Sequence, residues 1–320
     1  MNGVIIIDKP AGWTSHDVVN RVRRILGQRS VGHLGTLDPL ATGVLPLVTG
    51  SLTRLAQFYT TSEKTYEGVI RFGFATTTYD ADGDPAGEVR LVSLSLEHLQ
   101  KLAAGFQGLI EQLPPPFSAK KIHGVPAYKL ARKQQEVVLK PVQVEIKEFI
   151  ILRVDNDRAT FRAHVGSGTY MRSVAHELGR QLGCGAHLES LRRTSVAEFD
   201  ITQAHTLEEI EEKKTALQKI NDCHSDRSRS GSDGGVEEPA ASNHQGITNL
   251  FIHPRQLLPQ FPSVTADEAT AARIRNGRPI NLPELSRARQ VKVFSGQSDL
   301  IAIATRVAGT LFHPKIVFPD

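Results

Sequence analysis

Three hundred and twenty residues, 40% hydrophobic and 22% charged, suffice for one large domain or two ordinary ones, each with its own core. That composition excludes a disordered chain, and apolar runs such as Val4-Ile5-Ile6-Ile7 stop too soon for a membrane span or a signal-peptide core. Lysine plus arginine outnumber the acids by 38 to 34, a formal net charge of +4, so a polyanionic partner is served only if the cations gather on one face.

Val4 to Ile7 reads as a buried strand, and Ser15 as the N-cap of a helix whose apolar positions are Val18, Val19, Val22, Ile25 and Leu26, closed by Gly27. From Ser30 to Gly50, glycines and prolines enclose a compact loop that runs into the apolar stretch Val44 to Val48. Tyr66, Gly68, Ile70, Phe72 and Phe74 alternate with other residues, a strand period. Leu96, Leu99, Leu102 and Phe106 mark a helix, Val142 to Ile146 and Ala159 to Val165 two strands, and Tyr170 to Leu182 a further helix. Residues 221–248 are polar and aperiodic, a linker or insert. Beyond them a capping box at Thr265–Glu268 opens a helix ending at Gly277, followed by strands at Val291–Phe294, Leu300–Val307 and Thr310–Phe318. The mixture lacks βαβ alternation and a Gly-x-Gly-x-x-Gly fingerprint, so the expected fold class is α+β with a largely antiparallel sheet, followed by a small strand-rich domain.

Two cysteines, Cys184 and Cys223, make no Cys-x-x-Cys pair, and Cys184-x-x-His187 offers zinc only two ligands. The run Asp80-Ala81-Asp82-Gly83-Asp84 is a polar turn rather than a calcium loop, because Pro85 and Leu91 stand where such a loop needs glycine and glutamate. Cations cluster at Arg21, Arg23, Arg24 and Arg29, at Lys120 and Lys121, at Lys129, Arg132 and Lys133, at Arg192 and Arg193, and at Arg273, Arg275 and Arg278. Each cluster alone is equally well a solvated face.

The most informative stretch is Val31-Gly32-His33-Leu34-Gly35-Thr36-Leu37-Asp38-Pro39-Leu40-Ala41-Thr42-Gly43-Val44-Leu45, whose one carboxylate is Asp38. Pro39 biases Asp38 toward extended backbone and the glycines admit close approach, although local chemistry alone leaves an Asp-Pro turn as the plainer reading. This stretch resembles the catalytic-aspartate motif of TruB-type tRNA pseudouridine-55 synthases. The resemblance continues, in order, through Asp8-Lys9-Pro10-x-Gly-x-Thr14-Ser15, Lys64-x-Tyr66, Pro114-Pro115-x-Phe117-Ser118-Ala119-x-Lys121, Tyr128-x-x-Ala131-Arg132 and Gly168-Thr169-Tyr170-x-Arg172-Ser173. Leu34 stands where the family has a small hydroxyl residue, usually threonine, and the 221–248 insert has no counterpart in its pattern.

The resemblance implies a pseudouridine-synthase domain over 1–220, an insert at 221–248 and a PUA-like RNA-binding domain over 249–320. It implies isomerisation of a tRNA T-arm uridine with no cofactor and no metal, by a cytoplasmic monomer that needs neither a guide RNA nor an obligatory protein partner. Asp38 would be catalytic, Arg172 its partner, Tyr66 a surface for the everted base, and Tyr170 and Leu191 pocket walls. His33 would enter the RNA loop, and Lys9, Lys64, Lys121, Arg132 and Arg193 would meet phosphates. Attack on the ribose, attack on the base and removal of the C2′ proton remain open, with proton removal preferred. The rivals are a tRNA-folding chaperone that performs no chemistry and a guide-dependent synthase of the dyskerin type.

Overall fold

The computed structural model describes residues 1–118, 121–122, 125–126, 139–216, 245–284 and 286–319. In chain order the strands are β1 (Gly3–Lys9), β2 (Val31–His33), β3 (Thr42–Thr49), β4 (Lys64–Phe72), β5 (Ala75–Thr76), β6 (Pro85–Ala86), β7 (Gly108–Gln112), β8 (Lys121–Ile122) and β9 (Val125–Pro126). They continue with β10 (Val142–Asp155), β11 (Arg158–Val165), β12 (Ala186–Val196), β13 (Phe199–Asp200), β14 (Phe251–Ile252), β15 (Ser263–Ala266), β16 (Ile280–Asn281), β17 (Gln290–Ser295), β18 (Asp299–Ala308) and β19 (Leu311–Val317). The helices that matter below are α1 (Ser15–Leu26), α2 (Leu96–Ala104), α3 (Met171–Gln181), α4 (207–216) and α5 (Glu268–Arg275).

The main sheet runs β14-β1-β3-β12-β4-β11-β10-β7, with β2 on β3 and β13 on β12. Its pairs are antiparallel except β12 with β3. β1 is apolar without alternation because both of its faces are covered. Ile5 and Ile7 pack with α1 and α3 in one core, while Val4 and Ile6 join a second core with Leu257, Leu258, Phe294 and Ile303. β3 divides in the same way, Leu45 and Leu47 to the first core and Val44 and Val48 to the second.

α1 buries Val18, Val19, Val22 and Ile25, each contributing about 1.5–3 kcal/mol. Its N-cap is Thr14, one residue before the Ser15 expected: the Thr14 hydroxyl and the Asp17 carboxylate form a reciprocal capping box, and Ser15 is free to turn inward. Gly27 closes the helix at φ 64°, the left-handed cap that glycine tolerates. α3 begins at Met171 and ends at Gln181, one residue inside the expected span at either end.

The second sheet, β15-β17-β18-β19-β16, pairs β15 with β17 in parallel and carries α5 on its own core. Here the N-cap is Asp267, whose side chain accepts from Thr270 N, and Thr265 belongs to β15 rather than to a capping box. β14, just after the insert, pairs with β1, so the first strand of the second sheet is Ser263–Ala266. Of the 221–248 insert, 221–244 lies outside the described residues.

Candidate active site

β2 ends at His33, and the chain then crosses Gly35 to Pro39 before entering β3. This loop is fastened at its backbone. The Ser15 hydroxyl accepts from Leu37 N at 2.8 Å and donates to Leu37 O at 3.1 Å, and Gly12 N donates to Pro39 O at 2.9 Å. Two buried cations complete the cradle. Lys9 Nζ donates to the carbonyls of Pro10 (2.8 Å), Trp13 (2.6 Å) and Pro39 (3.2 Å). Arg193 donates to the carbonyls of Val44 (2.8 Å), Thr36 (3.3 Å) and Gly35 (3.1 Å).

Both were expected at phosphates, and the structure corrects that. Lys9 and Arg193 are each 0% exposed, and a phosphate cannot reach cations whose donors are spent on loop carbonyls. Burial pulls the Lys9 ammonium down to about 8, against the attraction of Asp38, and it also lowers Arg193, against its hydrogen bond with the Tyr66 hydroxyl. The close fit explains Gly43: at φ 96°, a Cβ there would stand 2.2 Å from the Arg193 carbonyl.

What the loop presents is Asp38. Its Oδ2 lies 2.9 Å from Nε of Arg172, whose side chain is 6% exposed against 40% for the aspartate. The aspartate therefore faces the cleft and the arginine backs it. Arg172 sits in the first turn of α3 and is fixed from three more sides: Nη1 donates to Thr78 O at 3.2 Å, Nη2 to Phe117 O at 2.9 Å, and Nη1 lies 3.4 Å from Oδ2 of Asp80. Asp80 is held in turn by the Thr78 hydroxyl and by Asp82 N at 3.2 Å. A planar, permanently charged guanidinium can span two carboxylates in this way. Burial raises the Asp38 carboxyl above its ordinary value; Arg172 and Lys9 oppose that, and the negative Asp80 adds to it.

Asp38 and Arg172 line a cleft of about 260 Å³ with Thr36, Leu37, Lys64, Tyr66, Tyr170 and Leu191. β4 delivers Tyr66 and the neighbouring β12 delivers Leu191, so the ring and the aliphatic wall come from paired strands. Tyr170 caps α3, its N–H donating to Gln112 Oε1 at 2.8 Å and its carbonyl accepting from Gln112 Nε2 at 3.1 Å. Lys64 stands at the rim with its ammonium on the Ser62 carbonyl, lowered by burial and by Arg193 to about 8. His33 is partly buried, lowered chiefly by burial, and its Nδ1 faces Gly35 N at 3.4 Å. Lys121 is described only in its backbone, and Arg132 lies outside the described residues.

Sequence reasoning brought Asp38, Tyr66, Tyr170, Arg172 and Leu191 to one cleft and missed Asp80, Gln112 and the carbonyls of Thr78 and Phe117. The crowded acids after Thr78 were the one available signal for Asp80. Leu34 is harmless to the loop: its side chain packs with Val44 and Val48 in the second core, and its N–H donates to Pro46 O at 2.9 Å. Among the described residues no group of histidine, cysteine and acidic side chains is arranged to hold a metal ion.

Comparison with known proteins identifies the family. The family described as TruB family pseudouridylate synthase (N terminal domain) matches residues 23–171, and the tRNA pseudouridylate synthase B C-terminal domain matches 172–223. A relative named tRNA pseudouridine synthase B, from Solibacter usitatus (strain Ellin6076), is 47% identical across 99% of this chain and 100% of its own. Its namesake from Stutzerimonas stutzeri (strain A1501) is 36% identical over 95% of this chain and 91% of its own. In fold, a chain from the crystal structure of a Cbf5-Nop10-Gar1 complex superposes with TM-score 0.69 at 21% identity, over 99% of this chain and 85% of that one.

Fold, cleft and relatives together define a pseudouridine synthase, an isomerase of uridine in RNA. The chain belongs to the TruB family.

Proposed function

We propose that the chain isomerises the T-loop uridine at position 55 of tRNA, with Asp38 as its catalytic group and without a cofactor. The observation that carries this is the Arg172–Asp38 ion pair of 2.9 Å at the floor of a cleft walled by Tyr66 and Leu191. A uridine stacked in its loop is out of reach, so it must be everted into the cleft, where the Tyr66 ring offers it a face. Asp38, in the carboxylate form that Arg172 and Lys9 favour, takes the C2′ proton. The N1–C1′ bond then breaks, leaving a glycal and a uracil anion. The uracil turns, its C5 bonds to C1′, and Asp38 returns the proton to C2′. C5 then releases its own proton while N1 takes one, so substrate and product contain the same atoms and nothing is oxidised or hydrolysed.

Lys64 at the rim, together with Lys121 and Arg132, serves the RNA backbone in this reading, and His33 enters the loop. The second sheet acts as a PUA-like RNA-binding unit. Recognition of a folded stem-loop suits A-form RNA, whose deep major groove side chains cannot read. The test is to incubate purified protein with unmodified tRNA transcript and map pseudouridine chemically, alongside Asp38→Asn at equal RNA binding. Wild type alone, without a guide RNA or partner, should form product at position 55. Asp38→Asn should bind and form none. Normal turnover by Asp38→Asn overturns the mechanism, and tight binding without product from either protein favours a chaperone. A 2′-deuterated uridine should slow the reaction if C2′ proton removal limits it.

A further inference from the structure

The candidate cleft receives one everted nucleotide, yet an aromatic surface outside it is fastened to the same loop. Trp13 is the chain's single tryptophan and is 36% exposed. Its backbone is held firmly: Lys9 Nζ grips the Trp13 and Pro39 carbonyls together, at 2.6 and 3.2 Å. On either side, Gly12 N bonds Pro39 O and Ser15 bonds Leu37, so residues 12–15 and 37–39 form one braced unit with Asp38 inside it.

Trp13 walls a shallow depression of about 340 Å³ with Gly12, Asp17, Asn20 and Arg24. The one acid there is committed to the helix cap, accepting from Thr14 N at 3.0 Å and from the Thr14 hydroxyl at 2.6 Å. Arg24 is exposed; its Nε reaches the Asn20 carbonyl at 3.4 Å, and no carboxylate among the described residues pairs with it. An exposed indole with an arginine beside it is the pairing that single-stranded nucleic acid meets with a base face and a phosphate. The Trp13 backbone carbonyl does the structural work, and any side chain would supply that.

We propose that Trp13 stacks on a second, unpaired base of the substrate RNA, adjacent to the everted uridine, with Arg24 facing a neighbouring phosphate. This rests on the functional reading above and adds a subsite to it. Because Asp38 and Trp13 share one anchor, the two nucleotides are held at a fixed separation, and the second one sets the register of the first.

A single tryptophan makes the contact directly visible. Unmodified T-arm stem-loop RNA is titrated into Asp38→Asn protein, following tryptophan fluorescence and, in parallel, retention of RNA on a filter. Fluorescence should be quenched with the same midpoint as retention. In the wild-type background Trp13→Ala should raise KM about 5- to 100-fold with kcat within twofold, Trp13→Phe should restore most of the loss, and Arg24→Gln should lower the salt dependence of binding by about one counterion. Retention with unchanged fluorescence, or Trp13→Ala with unaltered KM, overturns the subsite while leaving the functional reading intact. Absence of retention and of product with wild type would instead remove the reading on which the subsite stands.

Discussion

Asp38 works against its own surroundings: burial and the nearby Asp80 favour its protonated form, while Arg172 and Lys9 favour the carboxylate. A base that must be charged therefore loses activity as pH falls through a pKa raised above the ordinary aspartate value of about 3.9. The acid limb of kcat should lie above that value. Asp80→Asn separates electrostatics from support. Removing the negative neighbour lowers the Asp38 pKa and moves the acid limb down, while the loosened Arg172 lowers kcat by up to about 100-fold. A purely structural lesion would lower kcat without shifting the limb. At the other end, the Lys64 ammonium, held down to about 8, loses its charge as pH rises through that value, so KM should climb above it. Lys64→Arg keeps its charge and should abolish the climb; a climb that persists in Lys64→Arg assigns it to another group.

At the scale of elements, β12 shows where the sequence was hard to read. β1, β3, β4 and β11 announced themselves by apolar runs or alternation, because whole faces of each are buried, whereas β10 was legible only over Val142–Ile146 and runs on to Asp155. β12 lies among them, yet it reads Ala-His-Leu-Glu-Ser-Leu-Arg-Arg-Thr-Ser-Val, and its register shifts at Leu188/Ser190 and Arg193/Ser195 break the period of two. Arg192 and Arg193 read as one surface cluster. In the fold Arg192 pairs with Asp8 at 2.7 Å, both side chains partly exposed, while Arg193 is buried against the loop. Local sequence cannot distinguish the two, because the carbonyls that Arg193 satisfies lie about 150 positions away and only the parallel pairing of β12 with β3 brings them near. Asp80 was hidden for the same reason, since its partner Arg172 comes from another element. The motif around Asp38 was legible because its glycines, its proline and its acid are contiguous. Arg193→Met would leave the carbonyls of Gly35, Thr36 and Val44 without their donor. We expect a stability loss of about 1–3 kcal/mol for each buried carbonyl left unsatisfied and loss of product at temperatures where the protein remains folded, read by denaturant unfolding and by turnover. A folded Arg193→Met protein of normal stability would show that the loop holds itself.

Across the whole molecule, the second sheet is joined to the first by a shared core rather than strung from a linker. Leu257, Leu258, Phe294, Leu300, Ile303, Ile316 and Phe318 pack in one cluster with Val4, Ile6, Val44, Val48, Leu52, Leu55 and Tyr59. A polar latch fixes the register of that contact. The Glu198 carboxylate accepts the Tyr59 hydroxyl at 2.5 Å and Leu258 N at 2.8 Å, and Lys292 Nζ reaches from β17 to the carbonyls of Arg255 (2.8 Å) and Leu257 (2.6 Å). Burial and the adjacent carboxylate push the Tyr59 phenol far up, so it remains a proton donor throughout the working range of pH. Because the same strands bury one face on the helices and the other on the second sheet, neither layer can open without exposing the other. Unfolding should be one cooperative transition, with both sheets lost together in hydrogen exchange. Glu198→Ala strands the buried Tyr59 hydroxyl and leaves Leu258 N only its longer bond to the Tyr59 oxygen at 3.3 Å, at about 1–3 kcal/mol, and it should lower the melting midpoint by several degrees while the transition stays single. A variant in which the second sheet exchanges first, well below the main transition, would show that the latch rather than the apolar cluster couples the layers. Early exchange of that sheet in the wild-type protein would break the case for coupling altogether.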